Sequence, residues 1–270
     1  MKHLAKAIVL KIVVRTLGFA ARRVDCVRIF TYHSIQKHAN IRAHMSPIRF
    51  EEHVRYLSDN GYRSLRIADI TDQWPKVLSD RHSVVLTFDD GLHNNWTNAC
   101  QILAKYNMTG TFFIPTAYIG DSRQMPSALE MMPYLDAMML SWSDIREMVE
   151  AGFEIGAHSH KHVMVAKQDL YRAREEIVRP KRILEEKLGV AIRSFAYPKG
   201  HSDSFAEWTR DIIREAGYLS ACTQVGGPLS LDNDLFELPR QGMSGNDRLV
   251  ELRLKLNGHY DCLRWFRQQA

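Results

Sequence analysis

Three histidines fall within five residues, His158-Ser159-His160-Lys161-His162, and two carboxylates stand side by side in Thr87-Phe88-Asp89-Asp90-Gly91. Imidazole nitrogens and a carboxylate oxygen suit Zn2+ or a similar divalent ion, and three protein ligands leave positions open for water and substrate. His158 and His162, at i and i+4 just past a strand, form such a set with Asp90 at the end of another strand. A cation there would polarise a carbonyl and acidify a water; Asp89 could then take the proton, while a third group protonates the leaving atom. His160 alternates away from its neighbours and is expected to be a surface side chain. Asp-Asp-Gly is also a common solvated turn, the alternative reading of the acidic pair.

These side chains need elements that bring them together. Val84 to Phe88 reads as a buried strand opening into a loop at Gly91. Neighbours on a strand face opposite ways, so Asp89 and Asp90 share a site only if the chain turns between them, which Gly91 permits. Val27 to Ile35 is a second strand, with His33 near its C-terminal end. Ser46-Pro47 starts a helix that Asn60-Gly61 stops. The pattern further predicts strands at 111–115, 153–158, 194–198, 218–222 and 235–240, and helices at 94–106, 143–150, 169–188 (kinked at Pro180) and 204–216. Residues 117–141, with Met125, Met131, Met132, Met138 and Met139, break the alternation and read as an insertion whose methionines fill irregular core. Repeated strand, glycine and helix units indicate parallel β/α construction, a barrel or an open sheet. Every polar residue singled out follows a strand, where a β/α barrel places its active site.

The 270 residues are 45% hydrophobic and 25% charged, which excludes a disordered chain and allows one large domain. The excess of 36 Lys and Arg over 31 Asp and Glu favours anionic surfaces, but no clustered basic face argues for nucleic acid. Cys26, Cys100, Cys222 and Cys262 show no C-x-x-C spacing and read mostly as buried thiols in a reducing compartment. Residues 1–26 are apolar but interrupted by Lys6, Lys11 and Arg15, which fits neither a spanning helix nor a cleaved signal. A basic amphipathic helix on a membrane surface fits better, with an ordinary packed helix as the alternative.

Thr87-Phe88-Asp89-Asp90-Gly91, His158-Ser159-x-x-His162 and Phe195-Ala196-Tyr197-Pro198-Lys199-Gly200, in this order, resemble the first three motifs of the polysaccharide deacetylases with a NodB-homology domain. The resemblance spans about residues 27–245 and leaves 246–270 as a helical tail. It implies a distorted (β/α) barrel of the polysaccharide deacetylase type, acting on N-acetylated sugars or O-acetylated glycans with a divalent metal. Zn2+ is the first expectation for the metal, and Co2+, Mn2+ and Ni2+ suit the same ligands. The resemblance implies that Asp89 is the general base, that Asp90, His158 and His162 are the metal ligands, and that the turn at Tyr197 and Lys199 lines the site, with a backbone N–H near Lys199 facing the oxyanion.

Two departures from the family pattern need substitutes. Many members carry an arginine where this chain has Ala196; Arg240, in Leu238-Pro239-Arg240 at the end of the last expected strand, is the candidate replacement because it too lies after a strand and could pair with Asp89. The usual C-terminal Leu-x-His motif is not evident, but Tyr32-His33-Ser34-Ile35 matches an early Tyr-His-x-Ile strand of one family branch, which assigns His33 as general acid. The expected function is a metal-dependent deacetylase for the N-acetyl group of an N-acetylhexosamine in an envelope glycan or lipid-linked saccharide. The expected location is the inner face of a membrane, in peripheral contact through the N-terminal helix, with a periplasmic or membrane-anchored enzyme as the alternative. A secreted enzyme acting on polymeric glycan, another metal-dependent amidohydrolase and a non-catalytic glycan-binding protein are the competing readings.

Overall fold

Ser-Val-Val-Leu-Thr-Phe at 83–88 is buried at every position, a pattern sustained only by a strand covered on both faces. The computed structural model, which describes residues 26–37, 44–120 and 138–261, builds the protein around it. In chain order the elements begin with β1 (Arg28–Tyr32), β2 (Ser34–Ile35), β3 (His44–Met45), α1 (Pro47–Asp59), β4 (Arg63–Leu65) and α2 (Ile67–Asp72). Strand β5 (Ser83–Phe88) follows, then a π-helical turn Asn95–Cys100 that runs on as α3 (Gln101–Lys105), and β6 (Thr111–Ile114). The remainder is α4 (Trp142–Glu150), β7 (Glu154–Ala157), α5 (Leu170–Leu188), β8 (Ser194–Ala196), α6 (Glu207–Glu215), β9 (Ser220–Cys222), β10 (Gln241–Gly242) and α7 (Leu249–Leu256).

The main sheet runs β10-β1-β5-β6-β7-β8-β9 with every pairing parallel, and β4 pairs the first half of β5 while β6 pairs its second half. The sheet curls until its two ends approach: Leu238, just before β10, bridges Cys222 of β9. This is the distorted (β/α) barrel that the resemblance implied. Side-chain alternation gives it two cores. Ile29, Val85, Phe113, Ala196, Cys222 and Leu238 belong to one cluster, the filling of the curl. Phe30, Tyr32, Phe88, Phe112 and Phe195 belong to the other, packed against Phe50 and Val54 of α1 and Ile177 and Leu184 of α5.

Helix boundaries follow the expected chemistry in places and depart from it in others. Ser46 caps α1 by accepting from the Arg49 N–H, with Pro47 in the first turn; Ser141 and Asp144 form a capping box on α4. The helix expected over 94–106 is π-helical through Cys100, and its Asn side chains reach outside it: Asn94 bonds Ser34 and the Ile35 N–H, and Asn98 the Ile35 carbonyl. The strand expected over 235–240 is instead a 3-10 turn at Leu235–Glu237, capped by the Asp234 carboxylate, followed by Pro239, which has no N–H to give a ladder.

Cys100 and Cys222 are buried thiols, and burial pushes the Cys222 thiol up to about 12. Among the described residues no helix is long and apolar enough to cross a membrane. The expected amphipathic helix at 1–26 (its last residue apart), most of the methionine-rich stretch, Cys262 and the end of the tail lie outside the described residues.

Candidate active site

The register of β1 on β5 pairs Tyr32 with Phe88, so His33 and Asp89 are the next residues beyond matched strand ends. Phe88 stacks between Tyr32 and Phe112, ring centroids 5.5 and 4.6 Å away, with Phe50 edge-on to both Tyr32 and Phe88. This aromatic row fixes the strand ends, each pair adding ~1 kcal/mol. With Phe88 facing the helices, Asp89 faces into the curl. Asp90 then takes a left-handed conformation, φ 78°, and Gly91 follows at φ 66°. The turn brings the second carboxylate back beside the first. At Gly91 a Cβ would stand 3.3 Å from Ile114 and Pro115, so the turn is both left-handed and close-packed.

Asp90 Oδ1 lies 3.0 Å from His162 Nε2 and 3.6 Å from His158 Nε2. Donor atoms around one tetrahedral Zn2+ stand about 3.4 Å apart, so the trio has the spacing of a ligand set. All three side chains are buried. His158 Nδ1–H donates to the Ala196 carbonyl at 2.8 Å, which fixes the ring and turns the Nε2 lone pair toward Asp90. Burial alone would raise the Asp90 carboxyl, but the neighbouring His158 and His162 imidazoles, with the charge of His162 and His33, hold it well below the usual carboxylate range. The donor chemistry and spacing fit a divalent cation. Ser159 and His162 share the left-handed backbone of Asp90, with φ 57° and 54°, and strain of this kind gathers where a site is over-determined by its surroundings.

Asp89 is gripped by Arg240. Nη1 donates to Oδ1 at 2.7 Å and Nη2 to Oδ2 at 2.8 Å, and neither side chain reaches solvent to any extent. Arg240 is held in turn: Nη1 also reaches Thr87 Oγ1 at 3.1 Å, Nε donates to the Thr223 carbonyl at 2.8 Å, and the guanidinium lies 5.3 Å from the Phe113 ring centroid. Burial pushes the Asp89 carboxyl up, while the charges of Arg240 and His158 and the Arg240 hydrogen bonds outweigh it and keep the group below its ordinary value. The pairing expected of Arg240 is thus present, although the residue sits on the approach to β10 rather than at the end of a strand.

His33 sits half-buried beside the acidic pair, close enough for its charge to lower both Asp89 and Asp90. Lys199, on the turn after β8, points its side chain to solvent and adopts φ 63°; its N–H has no acceptor among the described residues. Tyr197 does not supply a donor to the site: its N–H goes to the Cys222 carbonyl at 3.1 Å and its hydroxyl to the Phe236 carbonyl at 3.1 Å. An aromatic strand-end residue with both polar groups engaged is a packing residue. His160, expected at the surface, is buried, with Nδ1 2.9 Å from Thr116 Oγ1. Period-2 reasoning does not hold in a loop whose backbone turns left-handed at Ser159.

Gln224 was not legible in the sequence. Its Nε2 donates to Asp89 Oδ2 at 3.3 Å, and its backbone N–H donates to the Gly200 carbonyl at 2.7 Å, tying Asp89 to the Lys199 turn. Asn94 and Asn98 were read only as helix residues, yet their bonds to Ser34 and Ile35 fix β2, directly after His33.

Comparisons with known proteins agree on one family. The sequence profile described as polysaccharide deacetylase matches residues 76–221, just over half the chain. The Bacillus subtilis (strain 168) protein YxkH, named provisionally as a polysaccharide deacetylase, is 27% identical over 224 residues, covering 81% of this chain and 73% of its own. The Streptococcus pyogenes deacetylase PplD, solved with acetate, superposes with a TM-score of 0.72 at 22% identity over 86% of this chain and 98% of its own. IcaB from Ammonifex degensii does so with a TM-score of 0.72 at 23% identity over 87% and 98%. At these identities the two structures establish likeness of fold.

Proposed function

This chain belongs to the polysaccharide deacetylase family, and from that premise we propose that it is a metal-dependent N-deacetylase for an N-acetylhexosamine in an envelope glycan or lipid-linked saccharide. The observation that carries the reading is the buried Asp90, His158 and His162 set directly beside an Asp89 clamped by Arg240. Those three residues would hold the cation, Zn2+ first among the candidates. Bound there, a divalent cation supplies positive charge that polarises a carbonyl and makes water more acidic.

The chain's own groups do the rest. Asp89, kept ionised by Arg240, takes a proton from the attacking water. The Lys199 N–H donates to the acyl oxygen as negative charge develops on it. His33, protonated, gives its proton to the nitrogen as the C–N bond breaks, so that amine and acetate leave. Arg240 and Gln224 orient Asp89 throughout, and the Ala196 carbonyl orients His158. The basic net charge and the interrupted apolar character of residues 1–26 support peripheral attachment at the inner face of a membrane, and a lipid-linked substrate suits that location.

Acetate release from an N-acetylhexosamine glycolipid and from a soluble N-acetylated oligosaccharide, with and without chelator, tests the reading. Release from the lipid-linked substrate, lost with chelator and in Asp89→Asn, is the expected result. Release from the soluble oligosaccharide alone overturns the lipid-linked assignment, and chelator-resistant release overturns the metal assignment.

A further inference from the structure

Helix α5 contains Pro180, buried and in its middle, where proline is least tolerated. A helix closes by donating each N–H to the carbonyl four residues earlier, so the missing N–H at 180 releases the carbonyl of Glu176. That carbonyl accepts the His160 N–H at 3.1 Å, and the Glu176 carboxylate, through Oε2, accepts the next N–H, of Lys161, at 2.7 Å. One residue of α5 thus receives two successive amides from the middle of the loop that carries His158 at one end and His162 at the other.

The same two residues are pinned from the other side. The Ala117 N–H donates to the His160 carbonyl at 2.8 Å, and the Tyr118 hydroxyl to the Lys161 carbonyl at 3.0 Å. With both amides and both carbonyls of 160–161 committed, the flanking Ser159 and His162 are left to absorb the turn at positive φ, which L-residues do not adopt without external fixation. We infer that Glu176 and Pro180 are positioning residues for the His158 and His162 ligands, with the proline retained so that a helix carbonyl stays available to the ligand loop. The inference rests on reading Asp90, His158 and His162 as metal ligands.

Co2+ affinity by chelator competition, the visible Co2+ spectrum and metal-free thermal unfolding, measured on the full chain, test this with Pro180→Ala, Glu176→Ala and Glu176→Gln. Pro180→Ala supplies the helix's own donor to the Glu176 carbonyl, which then competes with the His160 N–H and weakens its hold on the loop. Pro180→Ala is expected to unfold no lower than wild type, yet to bind Co2+ about tenfold more weakly, the scale of losing a partner behind a metal ligand. Glu176→Ala is expected to weaken Co2+ binding similarly and to alter the spectrum; Glu176→Gln, which keeps an acceptor oxygen for Lys161, should restore both. Wild-type affinity and spectrum in Pro180→Ala and Glu176→Ala overturn the inference, as does weakened binding only in proportion to a lowered unfolding temperature. A wild-type chain that binds no Co2+ overturns the metal reading itself and removes the premise.

Discussion

Arg240 and Asp89 lie 151 positions apart in sequence and meet as a two-pronged ion pair, each guanidinium nitrogen on its own carboxylate oxygen. Removing one member leaves a buried charge without its partner, so Arg240→Ala is expected to cost about 3–5 kcal/mol of stability and to abolish turnover. Arg240→Lys keeps a charge but loses the planar fork, and is expected to recover part of the stability while kcat stays ~100-fold down. Thermal melts and acetate-release kinetics on both variants check this. An Arg240→Ala protein with wild-type melting and turnover would show that the pair neither supports the fold nor orients the base.

Binding and catalysis should separate cleanly at the acidic pair. Asp90→Ala and His158→Ala are expected to lose bound Zn2+ and activity together. Asp89→Asn is expected to retain Zn2+ and lose at least ~100-fold in kcat. Metal content of purified variants, read beside their rates, decides it; turnover retained in Asp89→Asn would remove Asp89 as the base.

If His33 protonates the departing amine, its removal matters only when the leaving group needs a proton. His33→Ala is expected to lower kcat on an N-acetylated sugar by ~100-fold or more, and to lower it far less on an activated acetate ester whose phenolate leaves unprotonated. Equal losses on both substrates would assign His33 a role in binding or folding instead.

The fold carries its own acid sensitivity away from the site. His53 is buried on α1 with Nδ1 3.3 Å from the Tyr32 hydroxyl. Burial pushes its pKa down to about 4; Asp247 and the Arg248 backbone oppose this, and Lys255 and Arg49 reinforce it. The folded state therefore holds His53 neutral while the unfolded chain protonates near 6.5. Its stabilisation is complete above pH 6.5 and is lost as pH falls toward 4, by about 2–3 kcal/mol at the acid end. Unfolding free energies of wild type and His53→Gln at pH 7 and pH 4.5 measure it: the variant should lose less by that amount, and parallel losses would dismiss His53 as the source.

Deleting residues 1–20 is expected to move the protein from the membrane fraction to the supernatant. Continued sedimentation with membranes would place the attachment elsewhere.

The proposed ligands were legible because they are side chains of unusual type at telling spacing: His158 and His162 at i, i+4, and Asp90 in a strand-end acidic pair. Arg240 was legible as a cation near a strand end, even though the 3-10 turn and Pro239 displaced the strand itself. What escaped were contacts made through backbone atoms. The Glu176 carbonyl is the same in every residue type, and only Pro180, four residues on, marks it as available. Gln224 escaped for a related reason, since an amide after a strand has many partners and only the curl of the sheet brings it to Asp89. His160 was misread because alternation presumes extended backbone, which Ser159 leaves.

Strands β9 and β10 end the sheet, and between them the curl is held by the Cys222–Leu238 bridge and by the Arg240 Nε bond to the Thr223 carbonyl. The side chain that grips Asp89 is therefore also a stitch across the seam. Breathing at this join would unlatch Arg240 from one wall, and the Asp89 carboxylate would then lose its alignment before any strand melts. Mild denaturant should silence the enzyme while its circular dichroism is still native, and a ligand that tightens the seam would protect turnover without touching Asp90, His158 or His162.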